Sequence, residues 1–242
     1  MVRVTSVIAS APFFGSFVFP IRVKAFFAIA VTILLYPTIP LQGAVIATDA
    51  TAIEVTIAIF REMTVGVAMG LVGQIIFGGI QFGGQFISIQ VGLGFANIVD
   101  PQNQIQNPIF SQVFTFLAII VFMGIDGEAM YLAAMAKSFE IVPLGTADAT
   151  TLAPGFVELA SELFLIGVQL AAPFIVVIFL LDLSFAIFAR IMPQANIFFV
   201  ALPLKIMGGL IMLVLVVPKL GVAFKQFFTV MYENLGNVLQ AM

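Results

Sequence analysis

Apolar residues run along almost the whole chain, and proline, glycine or charged residues divide them into segments of helical length. This pattern predicts an all-α fold, a membrane-associated helical protein built of kinked helical hairpins. Pro20, Arg22 and Lys24 are predicted to form a basic turn between the first two segments, and Pro173 to kink a later one. The predicted apolar segments are 4–19, 25–36, 53–99, 109–125, 129–139, 163–181, 195–217 and 222–242.

The third segment combines glycine with uncharged polar residues. Residues 63–99 contain no charge, and nine of these 37 residues are glycine. The pairs Gly66/Gly70 and Gly79/Gly83 have the spacing that lets helix backbones approach closely. A polar stripe is predicted on one helical face, made of Gln74, Gly78, Gln81, Gln85 and Ser88. Hydrogen bonding to another helix and the wall of a water-filled path both explain such a stripe, and both alternatives stay open.

A break in the helical pattern follows this segment at 92–108. Asp100-Pro101 and Asn107-Pro108 both disfavour helix, because a residue before proline is pushed towards extended backbone. A polar loop of this length between apolar helices is uncommon, and such loops are often functional.

The last segment is predicted to be amphipathic, since its large apolar residues share one helical face. These residues are Phe224, Phe227, Phe228, Met231, Leu235, Val238 and Leu239, whereas Lys225, Glu233, Asn237 and Gln240 lie away from them.

Upstream, Lys205 interrupts the apolar segment 195–217. Lys205 can pair with Asp182, face another subunit, extend to an interface, or lie outside lipid altogether.

Composition supports a membrane location for these segments. Of the 242 residues, 62% are hydrophobic and only 9% are charged, so a soluble core of this size cannot bury all of the apolar surface. The positive-inside rule places Arg22 and Lys24 in the cytoplasm and the acidic loop 42–54 outside. Beyond that loop the charges lie within or beside apolar segments, so an ordinary spanning topology is not expected.

Enzymatic and cofactor chemistry find little support in the residue types. The chain has no His and no Cys, which removes the commonest general base and the thiolate ligands of zinc and iron–sulfur centres. No phosphate-binding or nucleophile motif is present, and a formal charge of −3 offers no basic surface for nucleic acid. Asp126 and Glu128 are interpreted as a solvated helix end, and Asp182 as an ion-pair partner or helix-end residue near Arg190 rather than a proton relay.

Two blocks of the sequence resemble the FliR/SctT family of type III secretion export-gate proteins. The first runs through Gly84-Gln85-Phe86-Ile87, Gln90-Val91-Gly92, Phe95-Ala96-Asn97 and Val99-Asp100-Pro101 to Pro108. It continues downstream with Asp126-Gly127, Ser138-Phe139 and Pro143-Leu144-Gly145. The second is Arg190-Ile191-Met192-Pro193-Gln194 with Phe198 and Pro203. The sequence of residues 95–101 resembles that of flagellar members more than that of injectisome members.

The resemblance implies a non-enzymatic subunit, without cofactor or metal, of the gate that exports unfolded flagellar proteins. It implies a location in the bacterial inner membrane, at the flagellar basal body. The implied partners are FliP and FliQ proteins in a hetero-oligomeric core, with FlhB at the entrance. Residues 1–153 would be FliP-like and residues 154–242 a FliQ-like hairpin. The family's plug loop matches Phe95, Ala96, Asn97, Ile98, Val99, Asp100, Pro101 and Pro108.

Other readings remain beside this one. Family members carry about half a helix more before the position of Arg3, so the resemblance predicts a truncated or misassigned first helix. Asp182, Arg190 and Lys205 are candidate buried charges, and Lys205 and Asp182 could also be the coupling charges of a secondary transporter of small solutes. An injectisome homologue and an intramembrane enzyme are the further alternatives.

Overall fold

Every regular element that the structure describes is helical, which confirms the predicted all-α fold. The computed structural model describes residues 1–12, 20–39, 51–93, 108–147, 152–194 and 196–242. Within these residues the α-helices are α1 (Val2–Ser10), α2 (Ile21–Leu35), α3 (Ala52–Val91), α4 (Ile109–Gly124), α5 (Gly127–Ile141), α6 (Leu152–Ile191) and α7 (Ile197–Gln240). One 3₁₀ turn, Tyr36–Thr38, follows α2.

Local signals explain where α3 begins and ends. Thr51 and Glu54 form a reciprocal capping box, in which each backbone N–H donates to the other side chain, at 2.8 and 3.4 Å. At the other end Gly92 adopts φ +93°. The N–H groups of Gly92 and Leu93 donate back to the carbonyls of Ile89 and Ser88, which is a Schellman cap. The predicted helix break therefore begins at Gly92, as expected.

Several helix bounds differ from the predicted segments, and α6, for example, runs from Leu152 to Ile191 where 163–181 was predicted. Arg22 and Lys24 do not form a turn, because α2 begins at Ile21 and includes both residues. The segments predicted at 195–217 and 222–242 are one helix of 44 residues, which contains Pro203 and Pro218. An interior proline removes one backbone hydrogen bond. Where little water is available, continuing the helix leaves fewer unsatisfied backbone groups than breaking it.

The chain forms two compact units. Unit 1 comprises Met1–Phe77, Phe122–Glu162 and Gln226–Met242, and unit 2 comprises Gly78–Val121 and Leu163–Lys225. The predicted division at residues 153 and 154 rests on family resemblance and stays a prediction.

In unit 1, α1 packs closely on the first half of α3. A Cβ placed on Gly66 would lie 2.6 Å from the carbonyl oxygen of Arg3, so only glycine allows this approach. The C-terminal part of α7 contributes six of the seven residues of its predicted apolar face, and the seventh, Phe224, belongs to unit 2; all seven are buried. Phe228 from that face meets Phe77 and Phe122 at centroid distances of 5.5 and 5.1 Å.

In unit 2, the second half of α3 packs on α6 through its other glycine pair. A Cβ on Gly79 or Gly83 would lie 2.9 Å from the carbonyl oxygen of Leu163 or Gly167. Both predicted glycine pairs thus mark close helix packing. Phe110 of α4 meets Phe174 of α6 edge-on at 5.9 Å.

A sharp bend separates α4 from α5. Asp126 has the left-handed conformation, with φ 55° and ψ 36°, and the two helices differ in direction by 69°. This confirms that 126–128 interrupts the apolar segment.

Candidate functional site

The predicted plug loop lies almost entirely outside the described residues. Phe95, Ala96, Asn97, Ile98, Val99, Asp100 and Pro101 belong to the part that the structure does not describe. Pro108 is described and half-buried. Its carbonyl accepts the Gln112 N–H at 3.1 Å in the first turn of α4. In unit 2 the loop therefore leaves α3 at a capped helix end and re-enters helix directly after Pro108.

In the predicted polar stripe on α3, the glutamines are exposed and the serine is buried. Gln74, Gln81 and Gln85 are exposed, whereas Ser88 is only 3% exposed. The Ser88 hydroxyl donates to the Gly84 carbonyl of its own helix at 3.0 Å, so Ser88 is not part of an exposed stripe in this chain. Gln74 in unit 1 donates its side-chain amide to the Ser10 carbonyl of α1 at 2.7 Å, which is the helix-to-helix hydrogen bond that one alternative expects.

The candidate charges of unit 2 are only partly covered by the chain. Lys205 of α7 forms an ion pair with Asp182 of α6, which was one of the alternatives raised for Lys205. The Lys205 side chain is 21% exposed and that of Asp182 47% exposed. Arg190 is exposed in the last turn of α6. The chain itself does not bury Asp182 or Arg190, so their burial by lipid or other subunits stays a prediction.

A buried charge network in unit 1 was not predicted from the sequence. Arg3 is fully buried, and its guanidinium donates to both carboxylate oxygens of Glu62, at 2.8 and 2.9 Å. It also donates to the Ser138 and Val142 carbonyls at 2.7 and 3.0 Å, and lies 4.3 Å from the Phe139 ring centroid. A bidentate arginine–carboxylate pair of this kind is both strong and geometrically specific.

Glu62 and its neighbour Arg61 also hold the turn after α5. Glu62 accepts the Gly145 N–H at 3.0 Å, and Arg61 donates to the Gly145 carbonyl at 2.7 Å. One signal could have revealed the network. Glu62 lies in an apolar helix, where an ionised side chain requires a partner, and Arg3 is the one basic residue of the first apolar segment and its flank, residues 1–19.

Large apolar surfaces remain exposed on the long helices. Three described helices have the length and composition to cross a membrane: Ala52–Val91, residues 155–191 of α6, and Ile197–Gln240. The bent pair α4 and α5 would be a fourth if it forms one span. In an apolar 18-residue window of each helix, the share of the window that is buried is 61%, 33% and 6%, respectively. The chain thus fully buries almost none of this part of α7, whose other residues are exposed or half-buried.

Comparison with known proteins identifies the family. Residues 1–231 match the family described as bacterial export proteins, family 1. This chain belongs to that family. Its long apolar helices and its membership make it a helical membrane protein of the bacterial export family.

Similar proteins align with this export-family chain along nearly their full length. The flagellar biosynthetic protein FliR of Aquifex aeolicus (strain VF5) is 30% identical over 233 residues, or 94% of this chain and 89% of the relative. The protein of the same name from Bacillus subtilis (strain 168) is 27% identical over 242 residues, covering 98% and 92%. That from Caulobacter vibrioides is 31% identical over 217 residues, covering 88% and 84%.

Proposed function

We propose that this chain is a structural and gating subunit of the flagellar type III protein-export gate. One observation carries the proposal: the export-family match extends over residues 1–231. The names of the similar proteins, which are flagellar biosynthetic proteins of almost the same length, favour the flagellar system over the injectisome.

The exposed apolar surface of the chain supports a role inside an assembly. The chain buries only 6% of an apolar 18-residue window of α7, and large exposed apolar surfaces mark contacts with protein or lipid. In the proposed complex, FliP and FliQ proteins cover these helices, with FlhB at the entrance, in the bacterial inner membrane at the flagellar basal body. Residues 1–153 occupy a FliP-like position in the core, and residues 154–242 occupy a FliQ-like position.

The proposed gate is the loop between α3 and α4. Phe95, Ile98 and Val99 form an apolar constriction that closes the passage for unfolded flagellar substrates, since apolar constrictions gate by excluding water. Gly92, whose φ is positive, and Gly94 provide the hinge. Gln81 and Gln85 are exposed on α3 and line the passage or contact a neighbouring subunit. The chain supplies no chemistry of its own, and the energy for transport comes from elsewhere.

Deletion of residues 95–104 tests the gate. We expect the mutant complex to leak small ions, because the deletion removes the apolar constriction. Ion flux through the reconstituted complex is the measurement. Replacing 95–104 with a Gly/Ser linker of equal length should leak as well, because loop length is then kept and only apolar bulk is lost. Ion permeability equal to wild type in both assembled variants would contradict the plug.

Purification of the native complex tests the subunit role separately. A gate subunit should purify with other small membrane proteins, which mass spectrometry then identifies. A secondary transporter of small solutes would purify alone or as a homo-oligomer, and that result would reject the proposed function whatever the loop deletion does.

A further inference from the structure

Asp182 is the single charged residue in a long apolar stretch of α6, since no other charge occurs between residues 163 and 189. It lies nine residues, or about 14 Å, before the end of α6 at Ile191. Its partner Lys205 lies eight residues, or about 12 Å, after the start of α7 at Ile197. The two charges are therefore at a similar distance from the connection between their helices. A hydrocarbon core of about 30 Å that begins at this connection includes both.

Lys205 leaves about half of the Asp182 side chain open. The lysine ammonium pairs with the Oδ1 atom of Asp182, yet the Asp182 side chain is 47% exposed. An ionised carboxylate has about four positions that accept hydrogen bonds, and one ammonium group does not fill them. The open part of the carboxylate can therefore accept a further hydrogen bond from outside the chain.

The surface beside this carboxylate is apolar. Phe179 and Leu183 lie within about 100° of Asp182 around the helix, and they are 63% and 51% exposed. Acyl chains would cover these two side chains but offer no donor to a carboxylate. Water would solvate the carboxylate but not the apolar side chains. A neighbouring protein helix with a hydrogen-bond donor in an apolar surface satisfies both, so Asp182 favours protein over lipid at this face.

Lys205 also restricts the charge of that donor. Asp182 and Lys205 together are neutral, and a second cation would leave a net positive charge among apolar helices, which is costly. Serine, threonine, asparagine and glutamine supply a donor without adding charge, and these residues form hydrogen bonds between membrane helices.

We propose that a helix of another membrane subunit packs on α6 at Asp182 and donates an uncharged side-chain hydrogen bond to the open carboxylate. The inference rests on the proposed function in one respect, because it needs a second membrane subunit in the same complex. It adds the position of one contact and the chemistry of the group that makes it.

A photo-crosslinker at Phe179 shows directly what covers this face. The chain carries p-benzoylphenylalanine in place of Phe179, and the native complex is illuminated in its membrane. We expect a crosslink to an apolar segment of another membrane protein that contains serine, threonine, asparagine or glutamine, identified by mass spectrometry of the joined peptides. Adducts with lipid alone, or no adduct, would overturn the proposal.

Two double variants then test the hydrogen bond itself. Both Lys205→Met/Asp182→Asn and Lys205→Met/Asp182→Leu remove the two charges together, but only asparagine keeps an acceptor oxygen. Equal recovery of the two chains from membranes controls for folding. Per recovered chain, we expect the leucine variant to retain at least about fivefold less of the crosslinked partner than the asparagine variant, because the donor of the partner loses its acceptor.

Ser184→Ala is the matched control for the retention of the partner. Ser184 is an exposed polar residue close to Asp182 in sequence, but its hydroxyl donates to the Leu180 carbonyl of its own helix at 2.8 Å. Its loss should therefore leave the amount of retained partner unchanged. A loss as large as that of the leucine variant would mean that any polar change on α6 weakens the complex, and would overturn the specific bond to Asp182.

The contact and the proposed function fail in different ways. Equal retention of the partner by the asparagine and leucine variants, in a complex that still assembles, overturns the contact at Asp182 and leaves the subunit role intact. A wild-type chain that purifies without any other membrane protein rejects the subunit role, and the contact with it.

Discussion

The buried Arg3–Glu62 network supports a quantitative prediction about the stability of unit 1. Arg3→Met removes a fully buried guanidinium that donates to Glu62, Ser138 and Val142. The Glu62 carboxylate, in a residue only 8% exposed, would keep the Gly145 N–H and lose its cation. Breaking a buried ion pair from one side costs about 3–5 kcal/mol, so we expect the free energy of unfolding to fall by that amount.

The double variant Arg3→Met/Glu62→Leu separates charge from packing. Removing both charges leaves no uncompensated carboxylate, so the double variant should lose at least about 2 kcal/mol less than the sum of the two single variants. Arg3→Lys should fall between wild type and Arg3→Met, because lysine keeps the charge but cannot form the bidentate contact.

Reversible unfolding of the full chain in mixed micelles, followed by far-ultraviolet circular dichroism, measures these differences. Arg22→Met is the matched control, since Arg22 is exposed and its loss should change the free energy of unfolding by less than about 0.5 kcal/mol. A loss below about 1 kcal/mol for Arg3→Met would refute the reasoning. So would strict additivity of the Arg3 and Glu62 substitutions.

Two further predictions concern helix packing and the exposed ion pair. Gly66→Ala should lower the free energy of unfolding by about 1–3 kcal/mol, since its Cβ would lie 2.6 Å from the Arg3 carbonyl oxygen. Gly236→Ala should raise that free energy by up to about 1 kcal/mol, because nothing lies within 4 Å of its new Cβ. The same unfolding assay measures both variants. Equal effects of the two substitutions would contradict the close approach of α1 to α3 at Gly66. Lys205→Met should reduce the amount of chain recovered from membranes, because it leaves Asp182 without its cation among apolar helices. Lys205→Met/Asp182→Leu should restore recovery on quantitative blotting, and a double variant worse than the single one would argue against the pair.

Local patterns predicted much of the helical structure. The seven apolar residues of the C-terminal face are all buried, and Lys225, Glu233, Asn237 and Gln240 are exposed, because the 3.6-residue period alone separates the two faces. The bend at Asp126 and the end of α3 at Gly92 were also predicted. Both depend on backbone conformations that short stretches of sequence prescribe.

The candidate site was predicted less completely. Ser88 has the helical spacing of the polar stripe, yet it is buried, since burial depends on which neighbour covers each face. The segments 195–217 and 222–242 were predicted to be separate, but α7 continues from one to the other through Pro218. Whether a proline ends a helix depends on how costly a break would be in its surroundings, and sequence spacing does not report this.

By itself, the sequence determined that this protein is helical and that its apolar surface is too large for its own chain to bury. It also determined that glycine pairs mark the places where helices pack closely. Those properties follow from composition and short periodicities, which act within a few turns of helix. Only the tertiary structure decided that Arg3 meets Glu62 across 59 positions of the chain, and that Lys205 pairs with Asp182. Charge pairing between helices depends on how the helices pack, and packing is set by all of their contacts together.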